Sequence, residues 1–161
     1  MGIAEELLQL SDALVYLDHK SHQQASFRRS VSTAYYAVFH LLTSDAAQRW
    51  DGTTVDRGGL ERGFDHRAMR TISSQIAGNT WKDSRGSVPS FSKTVRIVAR
   101  AFVDLQIDRH SADYDNQRVW SQTQAENIVA RAIDVFQKWK AVRTEPEAGT
   151  YLLAMLLGKQ R

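Results

Sequence analysis

The chain contains no cysteine among its 161 residues. Disulfides and thiolate metal sites are therefore excluded, and the composition suits a reducing compartment. Proline is almost as scarce. Pro89 and Pro146 are the two present, and both stand between stretches of helical periodicity. No apolar run approaches the roughly 20 residues that a membrane-crossing helix needs; the longest candidate, residues 151–157, is far too short. Glu5 and Glu6 make the start of the chain acidic where a secretory leader would be basic. These absences predict a soluble cytoplasmic protein with no membrane partner. A Gly-x-Ser-x-Gly elbow and a glycine-rich phosphate loop are also missing, which gives nucleophilic catalysis little support. No segment alternates apolar and polar residues for long, so no sheet is expected.

What is present points to one helical domain spanning residues 1–161, with its core over about 5–142. Hydrophobic residues make up 42% and charged residues 24%, an ordinary balance for a packed globular chain. The net charge of +3 is unevenly spread. Residues 1–27 set Lys20 against Glu5, Glu6, Asp12 and Asp18, whereas residues 57–109 carry ten basic side chains against five acidic ones. Arginine supplies 15 of the 21 basic residues. Its planar fork suits phosphates, carboxylates and stacked bases, so the bias leans towards anionic partners, although an arginine-rich solvated surface accounts for the same count.

Periodicity divides the chain into helices. The first covers residues 3–18, with Leu7, Leu10, Leu14 and Leu17 as its apolar stripe. The second covers residues 21–50, uninterrupted by proline or glycine, with a capping-box pattern at Ser21 and Gln24 and a stop at Asp51–Gly52. A loop over residues 51–59 precedes a third helix over 60–76, which closes at Gly78–Asn79. A polar connection over 80–88 leads to a fourth helix, opened by Pro89 or Ser90 and ending at Asp108 or a turn beyond. After a loop over 114–120, Ser121 and Gln124 repeat the capping box and start a fifth helix over 122–142. A break at 144–149 precedes a short terminal helix over 150–157, which either caps the bundle or packs on another subunit. The expected fold class is all-α: an up-and-down antiparallel bundle of four to five main helices plus this short C-terminal helix.

The second helix also carries polar chemistry. At 100° per residue, Tyr36 and His40 each return to within about 20° of Arg29, and Thr33 lies about 40° away. These four form one polar stripe that either lines a cleft or finds partners across the bundle. A second cluster, Arg109-His110-Ser111-Ala112-Asp113-Tyr114, sets Arg109 and Asp113 at salt-bridge spacing if the fourth helix continues. A third, Arg62, His66 and Arg70 at successive four-residue steps with Arg67 beside them, gives one basic edge or a solvated face. His19 and His22 stand near a break with no carboxylate cluster, so no metal site is read there.

The string Ser30-Val-Ser-Thr-Ala-Tyr-Tyr-Ala-Val-Phe-His40 resembles the second helix of prokaryotic HEPN-domain proteins. Arg109-His-Ser-Ala-Asp-Tyr114 resembles the Arg-x-x-Ala-Asp-Tyr signature of one branch of that family, and Phe64-Asp-His66 between them resembles its histidine segment. The likeness spans about residues 5–140. It implies an up-and-down helical bundle, frequent homodimerisation, and a link to RNA cleavage, nucleotide binding, or toxin–antitoxin and defence operons. Ribonuclease members of the family follow an arginine with a histidine after four to six residues; here Asp113 or Tyr114 stands where that histidine would be.

Three functions follow. The first is a HEPN-like module associated with RNA or nucleotide in a stress, toxin–antitoxin or defence setting, without the standard ribonuclease motif. The second is a metal-independent ribonuclease toxin with a displaced histidine. The third is a non-catalytic dimerisation protein, for instance a partner of a nucleotidyltransferase. Candidate catalytic residues are Arg109, His40 and Asp113; candidate binding residues are Arg29, Tyr36, His66, Arg67 and Tyr114. No cofactor and no metal is implied.

Overall fold

The computed structural model describes residues 1–17, 20, 23–50 and 56–158, with the backbone alone at Arg57. Among these residues all regular structure is helical: α1 (Ile3–Val15), α2 (Gln23–Arg49), α3 (Arg57–Arg62), α4 (His66–Ala77), α5 (Lys93–Tyr114), α6 (Gln122–Val142) and α7 (Pro146–Leu157). None of the described helices is long and apolar enough to cross a membrane. The expectations about Ser21 as a cap, the Asp51–Gly52 stop, and His19 with His22 lie outside the described residues.

Local chemistry explains most of the boundaries. The carboxylate of Glu5 accepts the Gly2 amide at 3.0 Å, and the acidic first turn of α1 complements the helix dipole. At the start of α6 the predicted capping box is present: Gln124 N–H donates to Ser121 Oγ at 3.1 Å, and Ser121 N–H donates to Gln124 Oε1 at 3.0 Å. Pro146 occupies the first turn of α7, where its missing N–H costs nothing, so that helix begins earlier than residue 150. Asn79, at φ 56°, closes α4 in the left-handed conformation that asparagine tolerates.

Three expectations are corrected. The single helix over 60–76 is in fact two helices, because Asp65 turns extended and its carboxylate accepts Ala68 N–H at 2.9 Å, capping α4. Arg62 therefore ends α3, where its exposed guanidinium meets Asp56 at 3.5 Å, and it shares no helical edge with His66 and Arg70. The fourth helix starts later than predicted, at Lys93, where Ser92 Oγ accepts Val95 N–H, and it runs to Tyr114, so the loop begins only at residue 115. In α1 the buried residues are Ala4, Ser11 and Val15, while Leu10 and Leu17 of the predicted core stripe are each 50% exposed. Ser11 and Ser30 exchange hydroxyl-to-carbonyl bonds of 2.8 Å, a close approach that small side chains allow and leucines would prevent.

The chain divides into two compact units, one made of residues 1–41 with 104–136 and the other of residues 42–103 with 137–161. In the first, α2 and α5 run antiparallel: Arg28 reaches the carbonyls of Ala112 and Asp115, and seven to eight residues further along α2 the tyrosines Tyr35 and Tyr36 meet Arg109. Phe27, Val31, Tyr35, Val38, Leu105 and Trp120 are among its fully buried side chains. The loop after α5 is tightly held. The Gln24 side chain both donates to Trp120 O at 2.7 Å and accepts Trp120 N–H at 2.8 Å, and Arg118 lies 3.8 Å over the Trp120 ring.

In the second unit α7 packs on α4. Tyr151 OH and Ser73 Oγ share a buried hydrogen bond of 2.7 Å, and Ser73 also meets Met155 Sδ. Burial pushes the Tyr151 hydroxyl well above the usual phenol range. The apolar run at 151–157 thus buries Tyr151, Leu152, Ala154 and Met155 within its own chain. Asp45, 9% exposed, accepts the Trp139 indole N–H at 2.6 Å and pairs with Arg143, whose carbonyl accepts Arg49 at 2.6 Å.

A candidate cationic–aromatic site on α2 and α5

The extension of α5 past Asp108 puts Arg109 and Asp113 on one helical face, four residues apart. Their nearest charged atoms, Nη1 and Oδ2, are 3.7 Å apart, an ion pair without a hydrogen-bonding distance. Across from them, α2 presents Ser32, Tyr35 and Tyr36. Ser32 Oγ donates to Asp113 Oδ2 at 3.2 Å. The Arg109 guanidinium lies over both tyrosine rings, 5.2 Å from the centre of Tyr35 and 5.5 Å from that of Tyr36, and those rings meet edge to face. The Arg109 side chain is 13% exposed and that of Asp113 27%. Arg109 Nε is buried without a hydrogen-bond partner, which leaves one strong donor of the cation unused.

The polar stripe of α2 is graded rather than uniform. Arg29, two turns before Tyr36, is exposed; Thr33 is buried; Tyr36 and His40 are half-buried. The His40 ring packs edge-on against Phe39 at 5.5 Å. On α5, the rings of His110 and Tyr114 pair at 4.9 Å one turn apart, and Tyr114 is 65% exposed. Next to Arg109, burial pushes the Asp108 carboxyl above its ordinary range, an effect that Arg131 at 3.1 Å and Arg118 partly offset.

Of the residues picked out from sequence, Arg109, Asp113 and Tyr36 come together. Arg29 and His40 stand on the same helix to either side of Tyr36. His66 and Arg67 belong to the other unit, in the first turn of α4. Arg67 there borders an open hollow of about 370 Å³ with Arg70, Thr71, Ser74 and Gln75. Sequence reasoning missed Ser32 and assigned Tyr35 wholly to the core. The signal was available in part, since Ser32 precedes Tyr36 by four residues and so shares its face. Among the described residues no group of three or more His, Asp or Glu side chains could hold a metal ion.

Chemically, the arrangement offers a permanent cation held over two tyrosine rings and balanced by one carboxylate at 3.7 Å. Such a cation recognises anionic oxygens, and the exposed rings of Tyr114 and His110 further round α5 offer stacking surface. The chain matches no family model, no curated protein and no solved structure.

Proposed function

We propose that this chain is a HEPN-like helical module that binds RNA or a nucleotide without cutting it, in a stress, toxin–antitoxin or defence setting in the cytoplasm. The observation that carries the reading is the state of Arg109: its guanidinium over Tyr35 and Tyr36, paired with Asp113 only at 3.7 Å, and with its Nε donor unused. A phosphate group offers charged acceptors to the terminal Nη donors of this guanidinium, and competes with Asp113 for them. Exposed Arg29 and the Tyr114–His110 pair add a second cation and a stacking platform on the same unit. Catalysis by proton transfer also needs a base poised at the 2′-hydroxyl. Where the family's histidine would stand, this chain has Asp113, already engaged by Ser32 and Arg109, or Tyr114.

Fluorescence anisotropy with a labelled single-stranded RNA, and separately with a labelled adenine nucleotide, tests the reading. Affinity should fall steeply with added salt, and Arg109→Ala should weaken binding at least about tenfold with helicity unchanged. Salt-independent binding, or full affinity in Arg109→Ala, would remove the proposal. Incubation with RNA in EDTA should leave it intact. Cleavage that disappears in both Arg109→Ala and His40→Ala would replace this reading with that of a metal-independent ribonuclease.

A further inference from the structure

The second unit holds a small cavity beside α7. Thr150, Leu153, Ala154 and Leu157 recur at steps of three, one and three residues, so they share one face of that helix. This face, Ile72 of α4 and Trp81 of the connection after it border a cavity of about 190 Å³. Gly158 lets the end of α7 close on α4, since a Cβ there would stand 2.9 Å from Ile72 Cγ1. Leu153 and Leu157 are 44% and 42% exposed, so the cavity opens to solvent along α7. A cavity of about 150 Å³ with an apolar lining already holds a benzene ring. This one has room for a ring and a short chain. Three polar side chains complete its wall: Asp83, Ser84 and Thr150.

Half-buried Asp83 gives this cavity its charge. Its Oδ1 accepts the amides of Arg85 and Ser87 at 2.9 Å each, its own amide donates to Ser87 O at 2.9 Å, and Gly86, at φ 81°, turns the loop back. The loop therefore holds the carboxylate in place before any ligand arrives. Among the described residues no lysine, arginine or histidine forms an ion pair with it. Lys82 and Arg85 stand close to it in sequence but line no part of the cavity. An unpaired carboxylate repels anions and attracts cations. Trp81 favours the same sign of charge, because indole is the strongest aromatic partner for a cation. Its N–H is buried without a partner, so the ring carbons are what Trp81 offers a ligand.

We infer that the cavity binds a small organic ammonium, its apolar body inside and its charged nitrogen facing Asp83 and the Trp81 ring. The hydroxyl oxygens of Ser84 and Thr150 are acceptors for the remaining N–H groups. Such an amine stays protonated at neutral pH, as lysine does. Its apolar part gains by leaving water, and its nitrogen keeps a charged partner when it does so. The site lies in the other unit from Arg109, so it neither needs nor supports the RNA reading.

Calorimetric titration of the full chain with phenethylammonium, and with phenethyl alcohol as a neutral counterpart of similar size, tests the inference; amide NMR locates the binding. The ammonium should bind at least about tenfold tighter than the alcohol and shift the signals of Asp83, Thr150 and Leu157. Asp83→Asn keeps an oxygen for the Arg85 and Ser87 amides while losing the charge. That variant should hold its urea midpoint, still take up the alcohol, and prefer the ammonium by less than about twofold. Equal affinity for the two probes, an undiminished preference in Asp83→Asn, or signal shifts confined to other parts of the chain would overturn the inference. So would the absence of heat and shifts at millimolar amine. Lys159, which follows Gly158 in the sequence, carries the same ammonium chemistry. Lys159→Gln should leave the affinity for phenethylammonium unchanged. A rise of about tenfold would overturn the inference by making that lysine, and not a free amine, the occupant.

Discussion

Asp45 and Asp113 each face an arginine, one in each unit of the chain, and they are held in opposite ways. Asp45 is buried and saturated, with the Trp139 indole N–H at 2.6 Å and the Arg143 guanidinium in contact. Asp113 keeps about a quarter of its side chain in solvent, receives a hydroxyl from Ser32, and stands off Arg109 at 3.7 Å. Both arrangements contain the same charges. The first leaves no buried side-chain donor or acceptor without a partner, so removing one breaks the core, whereas the second leaves Arg109 Nε buried and unanswered. Saturation, more than residue type, separates a structural ion pair from a candidate recognition site.

The largest effect should come from the saturated pair. Asp45→Ala strands the Trp139 indole N–H in the interior and leaves Arg143 uncompensated, and should cost about 3 kcal/mol in urea unfolding. Asp113→Ala removes a partly exposed carboxylate that stands 3.7 Å from its arginine and strands no indole donor, and should cost less, about 1 kcal/mol. Equal costs would erase the distinction between the two sites. Next comes Arg109→Lys, which keeps the charge but replaces the guanidinium that lies over the Tyr35 and Tyr36 rings. Its RNA affinity should fall about tenfold, or ~1.4 kcal/mol, while stability moves by about 1 kcal/mol or less. Unchanged affinity would mean that a point charge suffices and the tyrosines serve packing alone. Asp113→Asn should act in the other direction, tightening RNA binding about twofold by freeing the guanidinium for phosphate, in keeping with the few tenths of a kcal/mol of a helical ion pair. Weaker binding would make Asp113 a ligand contact instead of a competitor.

The smallest effect concerns Asp108, whose carboxyl burial pushes upward despite Arg131 and Arg118. A raised folded-state value means the unfolded chain gives up this proton first. The stability linked to it is present below the ordinary carboxylate range and is lost as pH rises through the raised value. Asp108→Asn should therefore flatten the decline in the urea midpoint as pH rises above the ordinary carboxylate range. A decline of unchanged slope would assign it to other carboxylates.

The fold class was legible because helix periodicity, capping pairs and turn residues all agreed. Ser121 with Gln124 is the clearest case, since one short pattern set the start of α6. The errors have specific causes. A leucine stripe ordinarily marks a core face, yet in α1 the serine pair across to Ser30 demanded close approach and gave the buried side to Ala4 and Ser11. Asp65 sits inside an otherwise helical pattern, and only its backbone conformation shows that it caps a new helix. The Arg109–Asp113 pairing could be read from spacing once α5 was continued. The tyrosines beneath the cation could not, because stacking between two helices depends on their register, which one-dimensional spacing does not contain. Arg28 was passed over for the same reason: its guanidinium gathers carbonyls of Ala112, Asp115 and Arg118, 84 to 90 positions away.

The Gln24 clasp on Trp120 has a kinetic meaning. One side-chain amide answers both backbone groups of a residue 96 positions away, so the turn between α5 and α6 cannot be completed by its own hairpin. Those helices can form early from local contacts, but the Trp120 amide gains protection only when the distant N-terminal end of α2 arrives. Hydrogen exchange at that single amide therefore times the docking of α2, and separates the loss of that helix from local fraying of the loop.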